Sequence, residues 1–285
     1  VSHGHEIAAL NPRNGELMYH LDPYLGRVID MVAVVDEDTL LTLSEDGEGG
    51  LILANWRLST GERRAQGTEA TNSLAFQGQL LPLPGAAHRV IVTDMFSFAH
   101  VTDYTTGKTV ANFERDDEAV SFGRFHVLPN AAPNLCVTAS AHGSIRIMDS
   151  GTGQTVATLR ADSPVRGIRR RRRMQYQHAL CANGMLVTVS DENPAPTLSV
   201  YDLSRNWLQA PTVFKLNLSQ HCHVGGAGVY CNIQAGPTDQ SVCISDGQEL
   251  YCIDVRLGVV IFTTEENALL LHTGSKSDSR SRSRS

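Results

Sequence analysis

The chain has 285 residues, 41% hydrophobic and 19% charged, with 30 acids against 24 bases and a formal net charge of −6. That apolar content fills one large core or two small ones, and no apolar run reaches the 18 or more residues of a membrane-spanning helix. Aromatic residues make up only 6% and Gly, Pro, Ser and Thr interrupt the chain every few positions, which excludes a helical bundle as the natural reading.

Taken in order, short apolar or alternating segments recur with turn residues between them. Residues 6–10 and 16–21 flank Asn14-Gly15. Residues 28–35, 40–44, 51–56 and a more polar stretch near Arg63 follow, and then 74–80, 88–94, 98–104 and 109–113. The cleanest copy is next. After 120–126, Leu135 to Ser140 is apolar and β-branched. Residues 144–149 alternate, with Ile145 and Ile147 on one face, Ser150-Gly151-Thr152-Gly153 is a turn, and 154–159 alternate again. Two looser copies comprise 165–168, 185–190, 198–202 and 213–216, then 228–233, 241–245, 249–254 and 259–263. Residues 268–271 open a last one. No segment reads as an amphipathic helix.

Gly15, Gly61, Gly107 and Gly153 stand 46 residues apart, and Gly258 lies 105 beyond Gly153, two units plus an insertion. Glycine supplies the positive φ that a tight reversal needs. A period of this size with four short strands per unit is that of a β-propeller blade. The expected fold is all-β: four-stranded antiparallel blades, five to six of them, in keeping with a seven-bladed parent. The propeller should occupy residues 1–273 and a disordered Ser/Arg tail 274–285. The chain opens at Val1, in what reads as the third strand of a unit, so a piece of a longer protein is expected.

The cysteines Cys136, Cys181, Cys222, Cys231, Cys243 and Cys252 mostly fall inside strands. They read as reduced, buried thiols of an intracellular protein, cytoplasmic rather than nuclear. Eight of the 24 bases lie in two places, residues 169–173 and Arg280, Arg282 and Arg284. Without these and Asp278 the body carries 16 bases against 29 acids.

Strands that end in Asp before a Gly turn are quotable three times over. They are Val101-Thr102-Asp103-Tyr104-Thr105-Thr106-Gly107, Ile147-Met148-Asp149-Ser150-Gly151-Thr152-Gly153 and Leu250-Tyr251-Cys252-Ile253-Asp254. Val200-Tyr201-Asp202 is a further Asp-ended strand. On these residues the chain resembles a degenerate WD40-type propeller of the WD40/quinoprotein-like superfamily, over about residues 1–272. The Trp of the Trp-Asp pair is replaced by Met148, Tyr201 and Ile253, and Trp56 follows Asn55 instead of preceding an Asp. The Gly-His pair expected before each inner strand is absent. The resemblance implies a binding platform without catalysis.

Candidate sites are few. Arg169, Arg170, Arg171, Arg172 and Arg173, with Arg166 nearby, repel one another and should form an exposed loop on the face of the Thr-Gly turns. They suit a phosphate-rich, acidic or nucleic-acid partner, or merely face solvent. The tail's Arg-Ser dipeptides resemble those of RNA-processing proteins but are only three. His221, Cys222, His223 and Cys231 have zinc-capable side chains without paired ligand spacing, so no metal or other cofactor is expected. There is no phosphate-binding Gly-rich loop ending in Lys-Ser/Thr and no Gly-x-Ser-x-Gly, so enzymatic activity is not expected. Two functions stay open: a protein- or peptide-binding scaffold within a larger intracellular protein, and an RNA-associated propeller using the arginines. Neither involves membrane insertion.

Overall fold

The computed structural model of the chain describes residues 2–3, 6–11, 13–21, 27–45, 50–69, 78–93, 98–114, 122–128, 134–140, 144–160, 177–180, 183–190, 197–204, 208, 212–217, 232–245 and 250–263. Six antiparallel sheets follow one another along the chain, each a simple meander. The first holds β1 (Ser2–His3), β2 (Glu6–Leu10) and β3 (Leu17–His20). The second holds β4 (Val28–Val34), β5 (Thr39–Glu45), β6 (Leu51–Arg57) and β7 (Arg63–Glu69), and the third β8 (Gln79–Pro82), β9 (Arg89–Thr93), β10 (Ala99–Asp103) and β11 (Lys108–Asn112). The fourth holds β12 (Phe122–Val127), β13 (Leu135–Ser140), β14 (Ser144–Asp149) and β15 (Thr155–Arg160). In the fifth are β16 (Gln177–Leu180), β17 (Met185–Ser190), β18 (Thr197–Asp202) and β19 (Thr212–Asn217). The sixth has β20 (Asn232–Ala235), β21 (Ser241–Ser245), β22 (Leu250–Asp254) and β23 (Val259–Thr263). The only helical turn among the described residues is a 3-10 turn, Val35–Glu37.

The chain divides into two compact units, Val1–Ile168 with the first four sheets and Arg169–Ser285 with the last two. Within each unit the cores lie between consecutive sheets, because the middle strands are buried on both faces. In β6, Leu51 and Leu53 join Leu80, Val90 and Val92 of the third sheet, while Ala54 and Trp56 turn the other way onto Ile7 and Leu21. This is the period of two expressed in packing. Leu41 is wholly buried, and truncating it to Ala should cost about 2–5 kcal/mol. Phe113 of the third sheet meets Phe125 of the fourth at 4.8 Å between ring centres. In the second unit Val187, Leu198 and Val200 pack with Val242, Ile244, Tyr251 and Ile253.

Polar clamps join the inner strands of the first unit. The Asp30 carboxylate accepts the Leu80 N–H at 2.8 Å. Gln79 grips Phe125 at both backbone groups, donating to its carbonyl at 2.9 Å and accepting its N–H at 2.8 Å. Burial pushes the Asp30 carboxyl above its ordinary range, against the N–H groups of Leu80 and Met31 that favour its ionised form.

The turn between the last two strands of a sheet repeats in detail. Gly15, Gly61, Gly107, Gly153 and Gly258 have φ between 68° and 76°. Each donates its N–H to the carbonyl four residues back, on Asn11, Arg57, Asp103, Asp149 and Asp254, at 2.7–2.9 Å. A register shift sits just inside the turn every time, at Ala9/Leu10, Asn55/Trp56, Val101/Thr102, Ile147/Met148, Val200/Tyr201 and Cys252/Ile253. Turn and bulge are one device, and the bulge increases the local twist of the outer strand pair.

Three expectations shift. The strand expected at 74–80 is Gln79–Pro82, and a short strand, Ser2–His3, precedes the one expected to open the chain. The inner strand of the fifth sheet is Gln177–Leu180, not 165–168. Residues 165–168 and the arginines at 169–173 lie outside the described residues.

Candidate functional site

The Asp that ends the third strand has a physical job. Asp149 Oδ1 accepts the N–H groups of Gly151 and Thr152 at 2.7 and 2.9 Å, Asp254 those of Arg256 and Leu257, and Asp103 those of Thr105 and Thr106. Asp202 does the same for Ser204, and Asn11 for Arg13. The carboxylate satisfies turn donors that the bulged ladder leaves over. Its bond from the Thr105 hydroxyl, aided by those N–H groups, holds the Asp103 carboxyl below the usual carboxylate range.

The second sheet breaks this rule, and the break creates the most elaborate polar cluster among the described residues. Arg57 stands where the others have Asp or Asn, paired with Glu62 at 3.2 Å. Its turn is capped from elsewhere. Asp38, at the corner between β4 and β5, accepts the Ser59 N–H and hydroxyl, both at 2.8 Å. The Ser59 N–H is the group equivalent to those that Asp103 and Asp149 take from their own turns. To reach it Asp38 adopts φ 47°, and the one other non-glycine residue at positive φ among the described residues, His88 at 60°, lies in the same cluster.

Glu37 joins the two. Its carboxylate accepts the Tyr104 hydroxyl and lies 2.8 Å from His88 Nδ1. Tyr104 packs edge-on to the His88 ring at 5.7 Å and 87°, and its carbonyl accepts Asn55 Nδ2 at 3.2 Å. Arg64 reaches Asp38 at 3.5 Å and donates to Thr39 Oγ1 at 3.1 Å. The Tyr104 hydroxyl, and to a lesser degree His88, hold the Glu37 carboxyl low, while burial and then Glu37 itself push the Tyr104 hydroxyl up. The His88 ring is half-exposed. The cluster ties the second and third sheets together and presents an imidazole at the surface.

A second pattern concerns apolar surface. Among the described residues, seven of the twelve exposed large hydrophobics lie on the outermost strand of a sheet: Leu17, Met18, Val110, Val156, Val213, Val259 and Ile261. Met18, Val110, Val156 and Ile261 each stand three residues past a turn glycine, and Arg64 holds the same place in the second sheet. Trp56, by contrast, is buried and donates Nε1–H to Thr42 Oγ1 at 2.9 Å. It occupies the position that Thr102, Met148 and Ile253 hold elsewhere, one residue before the end of the strand.

Arg166 and residues 169–173 lie outside the described residues, as do His221, Cys222, His223, Cys231 and the 274–285 tail. No group of three or more His, Cys, Asp or Glu that could hold a metal occurs among the described residues. Glu37, Asp38, His88 and Tyr104 had no sequence signal beyond the Arg at position 57, which breaks the Asp pattern. The outer-strand apolar residues were readable from the 46-residue period.

No protein-family model matches the chain, and no curated protein matches it. Among solved structures it is similar to the crystal structure of BamB from Moraxella catarrhalis, with a TM-score of 0.56 and 14% identity. The likeness covers 87% of this chain and 67% of that one. The fold is a β-propeller. At this identity the likeness carries the architecture of four-stranded antiparallel blades and nothing finer. No helix among the described residues is long and apolar enough to cross a membrane.

Proposed function

We propose that this propeller is a non-catalytic protein-interaction platform of degenerate WD40 type, a domain of a larger intracellular protein that binds a protein or peptide partner along its outer strands. The observation that carries the reading is the recurrence of exposed Met18, Val110 and Val156 at one place in the first, third and fourth sheets. Scattered apolar residues are ordinary on a surface, but three at one repeat position within the first unit give a partner a regular set of contacts. The Asp-capped turns and the Trp56–Thr42 bond support the WD40 affinity.

The test is affinity capture by the full chain at low and high salt, with mass spectrometry and an RNA readout. A protein partner should be retained at both salt concentrations. It should be lost in a Val110→Glu/Val156→Glu variant that keeps the parent's unfolding midpoint. Capture that collapses with salt and carries RNA would overturn the reading in favour of phosphate contacts through the arginines.

A further inference from the structure

From the pairing of β21 with β22 we infer that Cys243 and Cys252 form a dithiol site that oxidises to a cross-strand disulfide. The two residues are direct partners in the ladder, between Val242↔Ile253 and Ile244↔Tyr251. Val255 donates its N–H to the Gln240 carbonyl at 2.8 Å, which fixes the alternation. Counting inward, Val242/Ile253 and Ile244/Tyr251 are hydrogen-bonded pairs and Cys243/Cys252 is a non-hydrogen-bonded pair. In such a pair the Cα atoms stand about 4.5 Å apart and the side chains are at their closest. A disulfide spans Cα separations of about 4.4–6.8 Å, so the backbone is already placed to take the bond.

Both thiols share one face. Val242, Ile244, Tyr251 and Ile253 all enter the core of the second unit, so alternation turns Cys243 and Cys252 together to the opposite face. There the thiols are free and hydrogen-bond each other. Their exposure differs usefully: Cys252 is buried, whereas Cys243 is only partly covered and meets an oxidant first. Cys136 supplies the contrast. It is buried opposite Met148 in its own ladder, with no thiol across the strand to resolve an oxidised form.

The oxidant class is a peroxide, and the step balances. The Cys243 thiolate attacks one oxygen of hydrogen peroxide, the O–O bond breaks, and sulfenic acid and hydroxide form. The Cys252 sulfur then attacks the Cys243 sulfur, the S–O bond breaks, and the disulfide and water form; two thiols are oxidised and one peroxide is reduced. Burial, with the neighbouring Cys252, pushes the Cys243 thiol up to about 11. The thiolate is scarce at neutral pH, so the rate should climb about tenfold per pH unit through the neutral range.

The experiment treats the purified full chain with hydrogen peroxide, blocks remaining thiols under denaturing conditions and digests at Asp and Glu. That cleavage puts Cys243 in residues 240–246 and Cys252 in residues 250–254. The expected product is these two peptides joined, lighter by two hydrogens and separated by dithiothreitol, with formation faster at higher pH. Cys252→Ser should stop Cys243 at sulfenic acid, and Cys243→Ser should leave Cys252 blocked as a thiol. Full blocking of both cysteines in the treated parent chain, or a bond from either to Cys181, Cys222 or Cys231, would overturn the inference.

Discussion

The turns at Gly15 and Gly153 have the same backbone and different surroundings. Their φ values are 73° and 76°, and each glycine donates to the carbonyl four residues back. A Cβ at Gly15 would meet nothing within 4 Å. A Cβ at Gly153 would fall onto the backbone carbonyl of Asn112, the last residue of the preceding sheet's outer strand. There the chains are also joined by Glu114 N–H to the Gly153 carbonyl at 3.0 Å and Arg146 to the Glu114 carbonyl at 3.0 Å. Gly61 resembles Gly153, since its Cβ would enter the ring of Tyr19. One glycine period thus serves two purposes, turn geometry everywhere and sheet-to-sheet contact at some positions.

Alanine substitution separates the two. Gly15→Ala is expected to cost about 1–2 kcal/mol, the penalty of a left-handed L-residue. At Gly153 the same change adds a clash with backbone that cannot rotate away, and about 3 kcal/mol or more is expected. Urea unfolding of the two variants checks this; equal losses would mean that the contact at Asn112 is immaterial.

The next effect concerns Trp56. Trp56→Phe leaves the buried Thr42 hydroxyl without the indole donor and should cost about 2 kcal/mol. Adding Thr42→Val should recover part of it, because removing both partners is milder than stranding one. Thermal unfolding of the single and double variants measures the difference.

The turn caps come third. Asp149→Ala strips acceptors from two N–H groups and should cost about 1 kcal/mol. At Asp103 the cap is also a titration. Its folded carboxyl lies below the unfolded value, so its stabilisation is present above the ordinary carboxylate range and lost as pH falls through the lower, folded value. Asp103→Asn should flatten that acid limb, as read from unfolding midpoints between about pH 5 and 2.

Much of this architecture is legible in the residues themselves. Alternation at Ile145 and Ile147, the glycine spacing and the Asp-ended strands foretell strand order and turn position, because each is a local constraint on backbone and burial. The inner strand of the fifth sheet is misplaced because only Val165 and Ile168 point to 165–168, whereas Gln177-His178-Ala179-Leu180 takes its strand from pairing with β17. The cluster of Glu37, His88 and Tyr104 is equally hidden. Its members stand 51 and 67 residues apart, and nothing local at Glu37 or His88 announces the other.

The smallest effect tests how the second sheet manages without its Asp. If Asp38 caps the Arg57 turn from outside, Asp38→Gly should cost about 1 kcal/mol, since glycine tolerates φ 47° and only the carboxylate is lost. Arg57→Asn restores the residue type that Asn11 uses, without setting a second negative charge beside Asp38. In the parent chain its effect should stay within about 0.5 kcal/mol, because the Arg57–Glu62 pair is exposed and the Ser59 N–H already has an acceptor. In the Asp38→Gly background the same change should recover about half of the loss, since the turn then supplies its own acceptor. The coupling from this double-mutant cycle is the quantity to measure. A value of zero would mean that Asp38 and the Arg57 turn are stabilised independently, and the left-handed backbone at Asp38 would then owe nothing to the missing cap.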